Sequence, residues 1–143
     1  MGYRSTVMAA FYVNTTDDKK ADALQAMRAW YMLKKGECEA QDKSSAEWLF
    51  DNFREVKRGY VFEVDDVKWY DSFEEVQMFN ALVTSFKDAF IESTEHATDY
   101  NYDATDYAYE FIRIGEEDGD LERDEDGASD YVLYVQRSIT CEL

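Results

Sequence analysis

Residues 107–140 read YAYEFIRIGEEDGDLERDEDGASDYVLYVQRSIT, and the way this stretch divides decides the fold. Its start alternates in the strand manner, with Tyr107, Tyr109, Phe111 and Arg113 on one face and Ala108, Glu110, Ile112 and Ile114 on the other. Residues 115–130 then hold nine acids and three glycines. No core accepts that composition, so it reads as a long solvated connection, an acidic hairpin loop at 116–130. Aromatic and β-branched residues resume at Tyr131 and continue to about Thr140, which reads as the last strand. The acidic run is thereby the tip of a hairpin rooted in a sheet.

Upstream, residues 4–13 are rich in β-branched and aromatic side chains and form a strand that stops at the polar Asn14-Thr15-Thr16. A helix follows. Thr16 or Asp17 can cap it, Asp17, Asp18 and Asp22 suit its positive N-terminal end, and Lys34-Lys35-Gly36 closes it. Leu24, Met27 and Tyr31, with Ala23 and Trp30 beside them, form its buried stripe. Ser44 and Glu47 have capping-box spacing and announce a second helix carrying Leu49, Phe50, Phe53 and Val56, with its stop at Gly59. Two strand-like runs, 60–64 and 67–70, flank Asp65-Asp66 and read as a hairpin or as one bulged strand.

Ser72 and Glu75 repeat the capping-box spacing, and Phe73, Val76, Phe79, Val83, Phe86 and Phe90 recur at steps of three or four, the pattern of the central core helix. Residues 95–106 are polar and unpatterned, a loop or frayed helix end. The resulting order, β-α-α-β-(β)-α-β-β, implies a single α+β domain over residues 1–143. Its sheet is mostly antiparallel, of about four to five strands, with two to three helices packed on one face. The chain has no proline, so no Pro-rich linker divides it, and no internal repeat is visible.

Several segments together resemble a family of small uncharacterised bacteriophage proteins that begin Met-Gly-Tyr-Arg-Ser. They are Met1-Gly2-Tyr3-Arg4-Ser5, then Val67-Lys68-Trp69-Tyr70-Asp71-Ser72 with Val76 after it, then Tyr109-Glu110-Phe111-Ile112-Arg113-Ile114-Gly115-Glu116. The resemblance implies a phage or prophage origin and one compact α+β domain. It brings no activity and no catalytic residue. The 116–130 and 95–106 stretches are more acidic here than in that pattern.

Charge narrows the class of partner. The chain carries −17, and residues 95–143 hold 15 acids against three bases. A one-sign field of this size repels nucleic acid and membrane surfaces and attracts basic proteins. With 45% hydrophobic and 16% aromatic residues, the chain is too apolar for a disordered acidic tail. No window approaches the ~18 apolar residues of a membrane span, and the start lacks the pattern of a signal peptide. Cys38 and Cys141, with no CxxC and the single His96, point to free thiols in a reducing cytosol rather than to zinc, with a disulfide as the alternative.

Asp118, Asp120, Glu122, Asp124 and Asp126 place a carboxylate at every second position. Calcium in an EF-hand loop wants Gly at the sixth position and Glu at the twelfth. A frame from Asp118 gives Arg123 and Ser129, and one from Asp120 gives Glu125 and Tyr131, so a weak divalent-cation module is only an alternative reading. There is no P-loop, GxSxG or HExxH, and no nucleophile can be tied to His96. No enzyme, cofactor or metal is expected.

Tyr100, Tyr102, Tyr107, Tyr109, Tyr131 and Tyr134 mingle with the acids. Stacking on single-stranded nucleic acid needs a basic groove. The mixture suits a protein interface instead, with tyrosines as anchors and carboxylates meeting Arg and Lys. The leading expectation is a non-enzymatic phage inhibitor in the cytoplasm of an infected bacterium, a nucleic-acid mimic that blocks a basic nucleic-acid-binding host protein. Its expected contact residues are Asp118, Asp120, Glu122, Asp124 and Asp126, with Glu116, Glu117 and Asp130 flanking and Asp99, Asp103 and Asp106 as a second cluster. The alternative is a phage accessory protein with an aromatic or apolar interface and incidental acidity. Sequence leaves open whether the chain is a monomer or a homodimer.

Overall fold

A strand that is apolar at almost every position must be covered on both sides, and β1 (Ser5–Val13) is such a strand. It lies at the centre of the protein in a computed structural model that describes residues 4–92, 106–117, 119–135 and 139–143. Helices α1 (Asp17–Gln41) and α2 (Lys43–Asp51) follow, then strands β2 (Phe53–Val56) and β3 (Gly59–Val67), then helix α3 (Glu74–Phe86) running into six π-helical residues, Lys87–Glu92. Strands β4 (Tyr107–Gly115), β5 (Leu121–Gly127), β6 (Leu133–Val135) and β7 (Ile139–Cys141) complete the described elements. The main sheet has the order β2-β3-β1-β4-β5, with every neighbouring pair antiparallel. The expected α+β domain, with helices packed on one face of an antiparallel sheet, is the observed architecture.

The pleat sorts the core. Val7, Ala9, Phe11 and Val13 of β1 face the helices, together with Phe62 of β3, Tyr109 and Phe111 of β4, Met27 and Trp30 of α1, Leu49 of α2 and Phe79, Leu82 and Phe86 of α3. Phe11 is the hub: its ring lies 5.1–6.4 Å from those of Trp30, Phe53, Phe79, Phe86 and Tyr109. Burial of each such ring stabilises by about 1.5–3 kcal/mol. Met8, Ala10 and Tyr12 point the other way, where Ala108 and Ile112 of β4 join them beneath Val132, Leu133 and Ile139. The β6–β7 hairpin is thus a small cap on the sheet's second face.

Several boundaries differ from the sequence pattern. Helix α1 passes through Gly36 to Gln41. No neighbour lies within 4 Å of a Cβ placed at Gly36, and an exposed mid-helix glycine costs only ~1 kcal/mol. The actual stop is Asp42, whose N–H donates to the Cys38 carbonyl and whose carboxylate accepts from the Ser45 N–H, so one residue closes α1 and opens α2. Helix α2 ends at Asp51 rather than Gly59, because Phe53–Val56 pairs with β3 across a two-residue turn, Lys57-Arg58. Asp65-Asp66 makes no hairpin: β3 is one strand with a register shift there, and Asp66 has φ 54°. Ser72 does not cap α3, since the Phe73 N–H turns back to the Tyr70 carbonyl and Phe73 holds the cap position.

The last third departs furthest. The acidic hairpin loop expected at 116–130 does not extend over that range, because Leu121–Gly127 is a strand paired in full register with β4. Charged residues are tolerated there because β5 is the sheet's edge, open to solvent. The single last strand expected over 131–140 is instead two short antiparallel strands, the β6–β7 hairpin. Cys38 and Cys141 are free thiols. No helix among the described residues is long and apolar enough to cross a membrane.

Candidate functional site

Strand β5 carries the acids, and its pairing dictates where they point. The ladder is flanked by bonds from the Gly115 N–H to the Asp120 carbonyl and from the Ala128 N–H to the Tyr107 carbonyl, 2.8 and 3.0 Å. Even-numbered residues therefore turn their peptide groups to β4, and odd-numbered ones turn theirs outward. Side chains alternate as well. Asp120, Glu122, Asp124 and Asp126 form one row on the helix side, while Arg123 and Glu125 face the cap side. Successive carboxylates in such a row stand about 6.8 Å apart along the strand.

Two cations fix the row. Arg113 grips Asp120 with both terminal nitrogens, at 3.0 and 3.2 Å, and donates from Nε to Glu122 at 3.1 Å. Lys87, from the π-helical segment, lies 3.3 Å from Asp124 and 3.7 Å from Asp126, with its ammonium 5.1 Å from the centre of the Tyr109 ring. Four carboxylates against two cations leave the row negative. The Glu122 and Asp124 side chains remain 59% and 53% exposed, so a partner can reach both.

The outward edge is shielded by the same residues. The Asp124 and Asp126 carboxylates accept from the N–H groups of Glu125 and Gly127, at 2.9 and 2.8 Å. These are peptide donors that another strand would use to pair, so the edge is closed to strand addition at two positions.

Beside the row a cleft of about 730 Å³ opens between α3, the Trp69-Tyr70-Asp71 segment and the β4–β5 edge. Trp69, Phe79, Tyr109 and Phe111 line its depth, and Asp71, Asp120, Glu122, Asp124 and Arg113 its rim. Burial, with the Asp124 and Glu122 carboxylates adding to it, pushes the Tyr109 hydroxyl well above the usual tyrosine range, so it stays protonated.

The expected contact residues do not all converge. Glu116 accepts from the Arg4 N–H at 2.6 Å, and Glu117 is exposed on the turn next to it. Asp130 lies on the opposite side of the sheet, 3.5 Å from Arg58, with its N–H donating to the Tyr12 hydroxyl. Asp106 accepts from the Thr15 hydroxyl at 2.6 Å, at the start of β4. Asp99, Asp103, Asp118, His96, Tyr100 and Tyr102 lie outside the described residues, as does most of the 95–106 stretch. Among the described residues no group of three potential ligands could hold a metal ion.

The roles of Arg113, Lys87, Trp69 and Phe79 at the site escaped the sequence pattern, because they depend on which helix packs over which strand. Glu110 escaped it too. Placed with Ala108, Ile112 and Ile114 on one face of the strand but given no role there, it is fully buried beneath the cap. Its carboxylate accepts from the Tyr12 and Ser129 hydroxyls and from the Val132 and Leu133 N–H groups, with Arg123 3.5 Å away. The signal that could have found it is the apolar run Val7–Val13, which requires a cover on both faces of the sheet. No family model, curated protein or solved structure matches the chain.

Proposed function

We propose that the chain is a non-enzymatic inhibitor of bacteriophage type. In this reading it presents its acidic sheet edge to a basic, nucleic-acid-binding host protein in the place of nucleic acid, within the cytoplasm of the infected cell. The observation that carries the reading is the row Asp120, Glu122, Asp124 and Asp126, held on a paired strand by Arg113 and Lys87. A template of charge must be fixed to compete with DNA, and a sheet strand fixes it better than a loop. Its ~6.8 Å repeat matches the axial advance of every second phosphate along one DNA strand, about 3.4 Å each. The net charge of −17 adds long-range steering toward a basic groove.

The test begins with partners recovered from host lysate at low salt. Each is loaded with a labelled duplex, and displacement by the chain is followed by fluorescence anisotropy. Displacement is expected at about 50 mM salt and should weaken steeply by about 200 mM. The triple variant Glu122→Lys, Asp124→Lys and Asp126→Lys should not displace the duplex. Equal displacement by that variant defeats the reading.

A second reading, an accessory protein with an apolar interface, is favoured by Met32 and Leu33, adjacent on α1 and 63% and 60% exposed. There Met32→Ser with Leu33→Ser abolishes partner capture, and the lysine variant leaves it intact.

A further inference from the structure

We infer that the cleft beside β5 is a receptor for an arginine side chain carried by the partner protein. The inference rests on the acidic-edge reading above and gives it a chemical anchor. A row of acids alone would attract any cation. This cleft has a second property, an unpartnered group in its wall. Tyr109 is only 3% exposed, and nothing among the described residues hydrogen-bonds its hydroxyl. Every fully enclosed polar side-chain atom among those residues does have a partner. The hydroxyl therefore opens onto the cleft that Tyr109 lines together with Glu122 and Asp124.

The lining specifies guanidinium over other cations. The depth is aromatic, with Trp69, Phe79, Tyr109 and Phe111, and the rim is acidic. A guanidinium is planar, weakly hydrated and donates through a rigid fork, so it stacks on rings and meets carboxylates at once. An ammonium is compact and strongly hydrated, and gains less from the rings. The cleft already shows this chemistry in its own Arg113, which forks onto Asp120 and reaches Glu122. An incoming guanidinium would take the remaining faces of Glu122 and Asp124, with the Tyr109 oxygen accepting one of its N–H groups. At about 730 Å³ the cleft falls in the size range of small-ligand sites, roughly 300–1,000 Å³, and accommodates the side chain with the backbone that bears it. Because Asp124 and Asp126 cover the edge donors, the partner is held by side chains rather than as an added strand.

The experiment titrates N-acetylarginine amide into the full chain and follows the Trp69 indole N–H and the backbone amides of β5 by NMR. N-acetyllysine amide and N-acetylcitrulline amide, the neutral isostere, serve as comparisons. Saturable shifts confined to the cleft are expected with arginine, weaker with lysine and absent with citrulline. Glu122→Gln with Asp124→Asn should weaken arginine binding about tenfold or more, the scale of a lost charge-assisted contact. Tyr109→Phe, which keeps the ring, should weaken it severalfold. Arginine that leaves the cleft resonances unmoved, or binds the doubly neutralised variant equally, overturns the inference. So does equal binding of lysine and arginine. If the cleft fails while duplex displacement persists, the acidic edge acts without it. If arginine binds and displacement fails, the cleft stands and nucleic-acid mimicry does not.

Discussion

Glu110 has no contact with solvent and still carries a carboxylate. A buried charge of this kind is tolerated only when its lone pairs are occupied, and four donors from two segments of the chain meet it, with Arg123 at 3.5 Å. Its removal leaves those donors unsatisfied beneath the cap. Glu110→Ala should therefore destabilise the fold by about 3–5 kcal/mol, read from urea unfolding. Tyr12→Phe, which deletes one donor to Glu110 and one acceptor for the Asp130 N–H, should lose about 1–2 kcal/mol. A Glu110→Ala variant as stable as the parent chain would show that the cap does not depend on the carboxylate.

At the scale of elements, β5 converts acidity into a shield. Its outward N–H groups at Glu125 and Gly127 are occupied by the carboxylates one residue before them. Asp124→Ala with Asp126→Ala uncovers both donors, and sedimentation velocity should show mass rising with protein concentration. Asp124→Asn with Asp126→Asn removes the charge but keeps an acceptor oxygen, and should sediment like the parent chain. Identical behaviour of the Ala and parent chains counts against the shield. The same strand shows what sequence can carry. The stripe Val76, Phe79, Val83, Phe86 and the alternation through Tyr107–Ile114 were legible, because one period identifies one buried face. The strand character of Leu121–Gly127 was not, because an edge strand with solvent on both faces needs no apolar alternation. The cleft was illegible for another reason: Trp69, Phe79 and Tyr109 share no segment, and only packing brings them together.

Over the whole molecule, tyrosines set the alkaline limit. Tyr12, Tyr31 and Tyr109 are buried, and burial raises each above its ordinary value of about 10. A group raised in the folded state contributes its full stability below the unfolded value and loses it as pH climbs through the folded one. Urea midpoints should thus hold between about pH 7 and pH 9 and fall above about pH 10, with tyrosinate absorbance appearing together with unfolding. Tyrosinate that appears for all three while the fold persists would contradict the burial. Each ionisation would also add to a net charge that is already −17.

The cap makes the second core conditional on one acid. Of the four donors to Glu110, the Tyr12 hydroxyl comes from β1 and the other three come from residues 129–133. With that segment away, drawing Glu110 out of water is unfavourable. The face bearing Met8, Ala10 and Tyr12 therefore closes fully only under a cover that brings those donors. The buried acid works as a lock on half of the sheet, against which a merely apolar surface is a poor substitute for the cap.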